Sequence, residues 1–272
     1  MIIGLVRFSL LLRQANYFPN MKHLSFEERV NHVFGESRLI RRFELFENIC
    51  LPSLKNQTDQ GFNIAILTSK SLPNWAMERL QHSLSGIENI FIRPFRANAN
   101  YMNIARRAVY ELLDHQADTY ASFNLDDDDA LATDYIERLR GYLLPENVGK
   151  ALTFRKGFEL TVSGGEMRLK RDRRPKASAG IAGINAGPIN DVADVATIFE
   201  YGGHRKVDER FPLIIDASDD MYLQSANGAN VSERQGLAET ARVLSADEIA
   251  DRLSPKYPYL KADVIRAINR AV

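Results

Sequence analysis

Thr119-Tyr-Ala-Ser-Phe-Asn-Leu125, followed directly by Asp126-Asp127-Asp128-Asp129-Ala130-Leu131, decides how the chain is read. The first half is an apolar run of strand length and strand composition. Four consecutive carboxylates at its end concentrate negative charge that calls for a cation. Side chains on an extended backbone point alternately to opposite faces, so Asp126 and Asp128 are expected to project together, with Asp127 and Asp129 on the other side. Such a D-x-D pair suits Mg²⁺ or Mn²⁺, which typically takes one or two carboxylates plus the phosphates of a substrate. The chemistry implied is the handling of a diphosphate. Two other readings stand beside it. An acidic cluster after a strand also serves as a solvated turn or a helix N-cap. A calcium loop counted from Asp126 puts Asp128, Asp134 and Glu137 at positions three, nine and twelve, but Ala130 and Leu131 stand where that loop needs an oxygen ligand and a glycine.

Outward from this run, strands and helices alternate up to about residue 145, the pattern of a parallel sheet flanked by helices. Strands are expected over 2–7, 62–67 and 89–92. Helices are expected over 35–54, ending near Pro52, from Pro73 onward, and over 101–114. The fourth strand ends at the aspartates, which places them at the carboxyl edge of an open α/β sheet, where ligands bind. Thr133 reads as the N-cap of the next helix. After Pro145 the pattern changes to short strands, 150–154 and 158–162, separated by Gly157 and suggesting a hairpin-rich half. Ser245-Ala-Asp-Glu248 is a capping-box signature, and an amphipathic helix is expected over 261–271. We divide the chain into 1–145 and 146–272, as halves of one continuous domain.

Composition narrows the function classes. At 272 residues and 45% hydrophobic content the chain can bury a sizeable core. Lys plus Arg equals Asp plus Glu at 35 each, so no global field favours nucleic acid or anionic lipid. A single cysteine, Cys50, excludes an internal disulfide and any cysteine-rich zinc site. No stretch reaches the roughly 20 apolar residues of a spanning helix, and the short apolar opening reads as a strand and not a signal peptide. The expected location is cytoplasmic. Six cations in the ten positions 167–176 offer either a peripheral contact at the inner face of the membrane or a solvated hairpin.

Several pieces together resemble a GT-A glycosyltransferase of the bacterial rhamnosyltransferase group. They are Val6-Arg7-Phe8-Ser9; the helix from Arg41 to Phe46 leading into Leu51-Pro52-Ser53-Leu54 and Gln57-Thr58; the strand with Leu72-Pro73 after it; the acidic core; and Tyr222-Leu-Gln224 with Gly228-x-Asn230. The resemblance covers nearly the whole chain. It implies a GT-A-like α/β fold whose first half binds a nucleotide-diphosphate sugar, dTDP- or UDP-linked, and whose second half faces a glycan or lipid-linked acceptor in polysaccharide biosynthesis. It also implies Mn²⁺ or Mg²⁺ on Asp126 and Asp128. Arg7, Phe8, Asn103, Arg106, Asp126 and Asp127 would face the donor. Where the group carries a His-Gly pair after Leu-Gln, this chain has Asn227-Gly228, so Asn227 would offer the ion an amide oxygen in place of imidazole; His204 is the alternative third ligand.

Inverting transfer needs a base for the acceptor hydroxyl. Ser218-Asp219-Asp220-Met221 resembles the position where inverting GT-A enzymes carry it. Adjacent side chains diverge, so one of the two serves, and Asp220 is favoured, with Asp219 beside it and Asp216 in reserve. The same four residues also read as the N-cap of a helix. Two other classes remain: a nucleotidyltransferase or phosphohydrolase using the same acidic edge, for which no Gly-rich phosphate loop is present, and a non-catalytic calcium- or carbohydrate-binding module.

Overall fold

The computed structural model describes residues 1–13, 21–201, 204–227 and 241–271. The strands β1 (Ile2–Arg7), β2 (Phe62–Ser69), β3 (Ile90–Phe95) and β4 (Thr119–Asp126) lie side by side in the order β3-β2-β1-β4, all parallel. Ile2 to Val6 is buried without a break, as a strand covered on both faces requires. Alternation along β1 sorts its side chains into two cores. Ile2 and Val6 pack in the larger cluster, and Ile3 and Leu5 in the smaller.

Helices α1 (Phe26–Phe34), α2 (Glu36–Leu45), α3 (Leu51–Lys55), α4 (Asn74–Ser83), α5 (Tyr101–Tyr110) and α6 (Tyr135–Arg140) accompany these strands. Ile104, Ala105, Ala108 and Val109 bring α5 onto the Ile3 and Leu5 face. Leu39 and Phe43 of α2, Ala76 and Leu80 of α4, and Tyr135, Ile136 and Leu139 of α6 cover the other. The helix expected to end near Pro52 continues to Lys55 because a π-helical turn, Phe46–Cys50, joins α2 to α3. Leu51 donates to Phe46, five residues back, so the backbone is widened where the proline ring follows it. Helix α1 has no counterpart in the sequence reading, although Ser25 and Glu28 form a capping box in which each side chain accepts from the other's backbone N–H. The N-cap of α6 is Asp134 and not Thr133, whose backbone is tied instead to Thr58 and Lys256.

The sheet continues through the second half with β5 (Ala130–Leu131), β6 (Ala151–Ser163), β7 (Glu166–Asp172), β8 (Ala182–Ala186) and β9 (Leu213–Asn227), in the order β4-β8-β6-β9-β5, with β7 on β6. Two short strands flanking Gly157 were expected; one long strand, β6, runs through it. Gly157 serves close approach and not a turn: a Cβ there would lie 2.3 Å from the carbonyl oxygen of Tyr222. The hairpin turn is at Gly164 and Gly165, with φ of +58° and +79°, joining β6 to β7. Ser218 to Met221 lies within β9, so the N-cap reading of that segment falls. Strand β9 is irregular there, because Phe154 faces Asp216 while Lys156 faces Asp220. Helices α7 (Ala246–Leu253), with the expected Ser245 and Glu248 capping box, and α8 (Ala262–Ala271) complete the larger core through Ile249, Leu253, Ile265 and Ile268.

Candidate active site

From β1 the chain runs through β2 to β3 on one side and returns to place β4 on the other, so the ends of β1 and β4 flank the switch point where open α/β sheets bind ligands. Arg7 and Asp126, partners in the β1/β4 register, close this edge: Arg7 Nη2 donates to Asp126 Oδ1 at 2.5 Å. Asp126 raises the Arg7 guanidinium above its ordinary value, against burial, and the neighbouring Tyr101 adds to the shift.

Extended backbone stops at Asp126. Asp127 and Asp128 form a turn in which Asp129 N–H donates to the Asp126 carbonyl at 3.0 Å, so the four carboxylates diverge instead of alternating. Asp127 is fully buried. Arg42, from α2, holds it with Nε at 3.0 Å from Oδ2 and Nη2 on Oδ1, while its Nη1 reaches Asp128 Oδ2 at 3.2 Å. Asp129, also buried, takes the Ser225 N–H at 3.0 Å and Gln224 Nε2 at 3.2 Å. The buried Cys50 thiol is pushed well up, first by burial and then by Asp129, Asp128 and Asp126. One turn before Arg42, Arg38 is pushed down to about 10 by burial and by Arg42, with Asp128 opposing.

Several expected contacts are corrected. Asp127 does not face a donor, since it is fully buried against Arg42. The Phe8 side chain does not face a donor: its ring is fully buried against Phe43 and Phe46, with centroids 4.7 and 5.3 Å away. Arg106 is paired with Glu200 at 2.8 Å, and Asn103 is exposed on α5. Asp219 is bound to Lys256, and Asp220, buried, to Arg171 at 2.9 Å. Both lie five or six residues along β9 from Ser225, on the order of 15 Å at the rise of a strand, so the structure does not bring them against the aspartate turn. Asp216 is further still; burial raises its pKa, but hydrogen bonds from Arg138, Ser218 and Tyr142 prevail and hold it at about 2. His204 opens a 3₁₀ helix, His204–Glu209, whose Arg205 carbonyl accepts from Lys176. Asn227 ends β9 opposite Val162, while its side chain, Gly228 and Asn230 lie outside the described residues. Among the described residues no group of three His, Cys, Asp or Glu side chains is placed to hold a metal ion.

The basic run 167–176 is mostly internal. Four of its six cations meet carboxylates of the same chain: Arg168 on Glu166, Arg171 on Asp220, Arg174 on Asp172, and Lys176 on Asp208. Arg174 also donates to Gln224 Oε1 at 2.5 Å. A polar chain therefore runs from Arg174 through the buried Gln224 to Asp129, tying the basic run to the acidic turn. Ser9 was read only as part of a motif. It sits at the exit of β1 with φ of 46°, and its hydroxyl is buried with no hydrogen-bond partner.

The fold is that of an α/β protein whose mostly parallel sheet carries the acidic turn at its switch point. Residues 1–239 match the family described as "Putative rhamnosyl transferase". The chain belongs to this family. No curated protein matches it. Among solved structures it is similar to S. aureus TarS 1-349, at 10% identity and a TM-score of 0.42 over 83% of this chain and 60% of that one, and to the same protein in complex with UDP, at 11% and 0.42 over 83% and 61%. It is also similar to a structure described as a "Putative Glucose-1-Phosphate Thymidylyltransferase from Bacillus anthracis in Complex with a Sucrose", at 12% and 0.36 over 82% and 89%. The chain thus spans about 60% of the TarS 1-349 chain. No helix of the described residues is long and apolar enough to cross a membrane.

Proposed function

We propose that this protein is a metal-dependent, inverting glycosyltransferase, moving a sugar, rhamnose by the family's description, from a dTDP- or UDP-linked donor to a glycan or lipid-linked acceptor. The observation that carries the reading is the turn at the switch point: Asp126, one-third exposed, beside Asp128, of which Arg42 takes only Oδ2. These are hard oxygen donors, and two carboxylates completed by phosphates and water are what Mg²⁺ or Mn²⁺ uses. The residues therefore fit the ion, Asp126 and Asp128 being those that would hold it. The bound ion would supply charge neutralisation for the leaving diphosphate.

The remaining work falls to side chains of the protein. Arg7 and Arg38 stand beside the same edge and supply further positive charge to an incoming diphosphate, and the Ser9 hydroxyl offers a hydrogen bond at the exit of β1. In inverting transfer the acceptor oxygen forms a bond to the anomeric carbon as the bond to the diphosphate breaks, and the hydroxyl proton passes to a carboxylate. Asp220, with Asp219 as its neighbour, is the carboxylate the sequence offers for that role, but it lies on the order of 15 Å along β9 from the turn and is paired with Arg171, so it can serve only if the acceptor side of the site brings it to the donor. Asp216 is too weak a base at a pKa of about 2.

Calorimetric titration of UDP and dTDP with and without Mn²⁺ tests the reading. At least one nucleotide should bind roughly tenfold or more tightly with the ion than without, and Asp126→Ala and Asp128→Ala should abolish that difference while leaving the fold intact. Equal affinity with and without metal would remove the ion from the site.

A further inference from the structure

The sequence reading gave the acidic run an external cation, yet the structure already supplies an internal one. Arg42 reaches the turn from α2 with its whole guanidinium: the Nε and Nη2 edge is a fork on Asp127, and Nη1 turns to Asp128 at 3.2 Å. The three side chains are close to dry, with Arg42 11% exposed, Asp127 0% and Asp128 7%. Two carboxylates side by side in so buried a place cannot both stay ionised without a positive partner. The two contacts differ in kind. Asp127 meets two guanidinium nitrogens, Nε by a hydrogen bond to Oδ2 and Nη2 as an ion pair with Oδ1. The contact with Asp128 is single and longer, and spares Oδ1.

We propose that Arg42 is the internal counter-cation of the acidic turn, holding Asp127 permanently and Asp128 only until a divalent ion arrives, and so competing with that ion for Asp128. This inference rests on the metal-dependent reading given above. A guanidinium and a divalent ion cannot share one carboxylate at close range without repelling each other. Binding of the ion therefore includes the cost of releasing, or working against, the Nη1 contact. The gain is a turn that keeps its shape when the ion leaves with the diphosphate, because four like charges are never left facing one another. Arg38, one helical turn back and with no carboxylate within ion-pair distance among the described residues, adds to the positive potential that the ion must overcome.

The test compares the wild-type protein with Arg42→Gln, which removes the charge, and Arg42→Lys, which keeps it and loses the fork. Mn²⁺ is titrated by calorimetry into each, with and without UDP. Arg42→Gln should bind Mn²⁺ roughly tenfold or more tightly, and should melt lower than wild type without metal but regain more on adding it. Arg42→Lys should stay within about threefold of wild type, since the competing charge remains. Unchanged or weaker Mn²⁺ binding by Arg42→Gln overturns the proposal. Should that variant fail to fold, the wild type decides: its Arg42 Nε–H resonance, assigned by its loss in Arg42→Lys, should move on titration with Mg²⁺ and UDP, and a resonance that stays in place at saturation refutes competition. If the wild type binds neither ion in the presence of UDP, the metal-dependent reading fails and Arg42 has nothing to compete with. If it binds and Arg42 does not respond, only the inference about Arg42 falls.

Discussion

Replacing Gln224 by Leu tests whether the polar chain beneath the acidic turn is structural. Gln224 is fully buried in β9; its amide donates to Asp129 at 3.2 Å and Ser178 at 2.8 Å, and its carbonyl accepts from Arg174 at 2.5 Å. Leucine nearly fills the same volume, so no large cavity opens and the loss is confined to hydrogen bonds. Two of the three involve a charged group, worth about 1.5–3 kcal/mol each, and the third about 1. Arg174 keeps Asp172, and Asp129 keeps the Ser225 N–H, which limits the damage. Burial of the leucine side chain returns about 1.5–2 kcal/mol. The net cost comes to roughly 2–4 kcal/mol. At about 2–4 °C per kcal/mol for a chain of this size, the Tm should fall by roughly 5–15 °C. Differential scanning calorimetry reads this directly, with Gln224→Ala, which adds a cavity, expected lower still. A Tm for Gln224→Leu within about 1 °C of wild type would show that the chain from Arg174 to Asp129 does not hold the turn.

Two further outcomes follow from the geometry of β6 and β9. Gly157→Ala places a Cβ against the Tyr222 carbonyl at 2.3 Å, a backbone contact that cannot yield cheaply; it should destabilise by about 3 kcal/mol or more, read by guanidinium chloride denaturation, and a midpoint equal to wild type would disprove the close approach. Asp216 is depressed from its ordinary 3.8 to about 2, so the folded state prefers its charged form; the stabilisation is complete above about pH 4 and is lost as pH falls toward 2. At 1.36 kcal/mol per pH unit this is worth about 2 kcal/mol, and Asp216→Asn should lower stability at pH 7 by about that much while converging on wild type near pH 2; a constant difference across that range would rule out the linkage.

How much of this was legible in the sequence depends on how far each determinant acts along the chain. Uninterrupted apolar runs marked β1, β2 and β4 because a strand buried on both faces must be apolar throughout. The Ser245 capping box was equally readable, its partners being three residues apart; the same signature at Ser25 and Glu28 was present and passed over. Gly157 was misread because a glycine that admits a neighbouring carbonyl and a glycine that turns the chain look alike in sequence, and only the Tyr222 backbone, distant in sequence, distinguishes them. The N-cap reading of Ser218 to Met221 failed for a similar reason. Local hydrogen-bonding propensity favours a cap there, but pairing with β6 draws the segment into β9.

The acidic turn shows the same division within a single site. That the aspartates stand at the carboxyl edge followed from the apolar strand before them. Where each carboxylate points did not, because the alternation rule lapses once Asp129 N–H closes on the Asp126 carbonyl. From there each carboxylate is assigned by a residue from another part of the chain: Asp126 by Arg7, Asp127 and Asp128 by Arg42, and Asp129 by Gln224 and Ser225. Arg38 and Arg42 resemble the solvent face of an amphipathic helix in sequence, and only the packing of Leu39 and Phe43 into the larger core turns that face toward the turn. Four identical residues thus acquire different roles from their partners. Asp127 and Asp129 are fully enclosed by their partners, whereas Asp126 keeps one-third of its side chain exposed beside Arg7 and Asp128, though buried, meets Arg42 through Oδ2 alone.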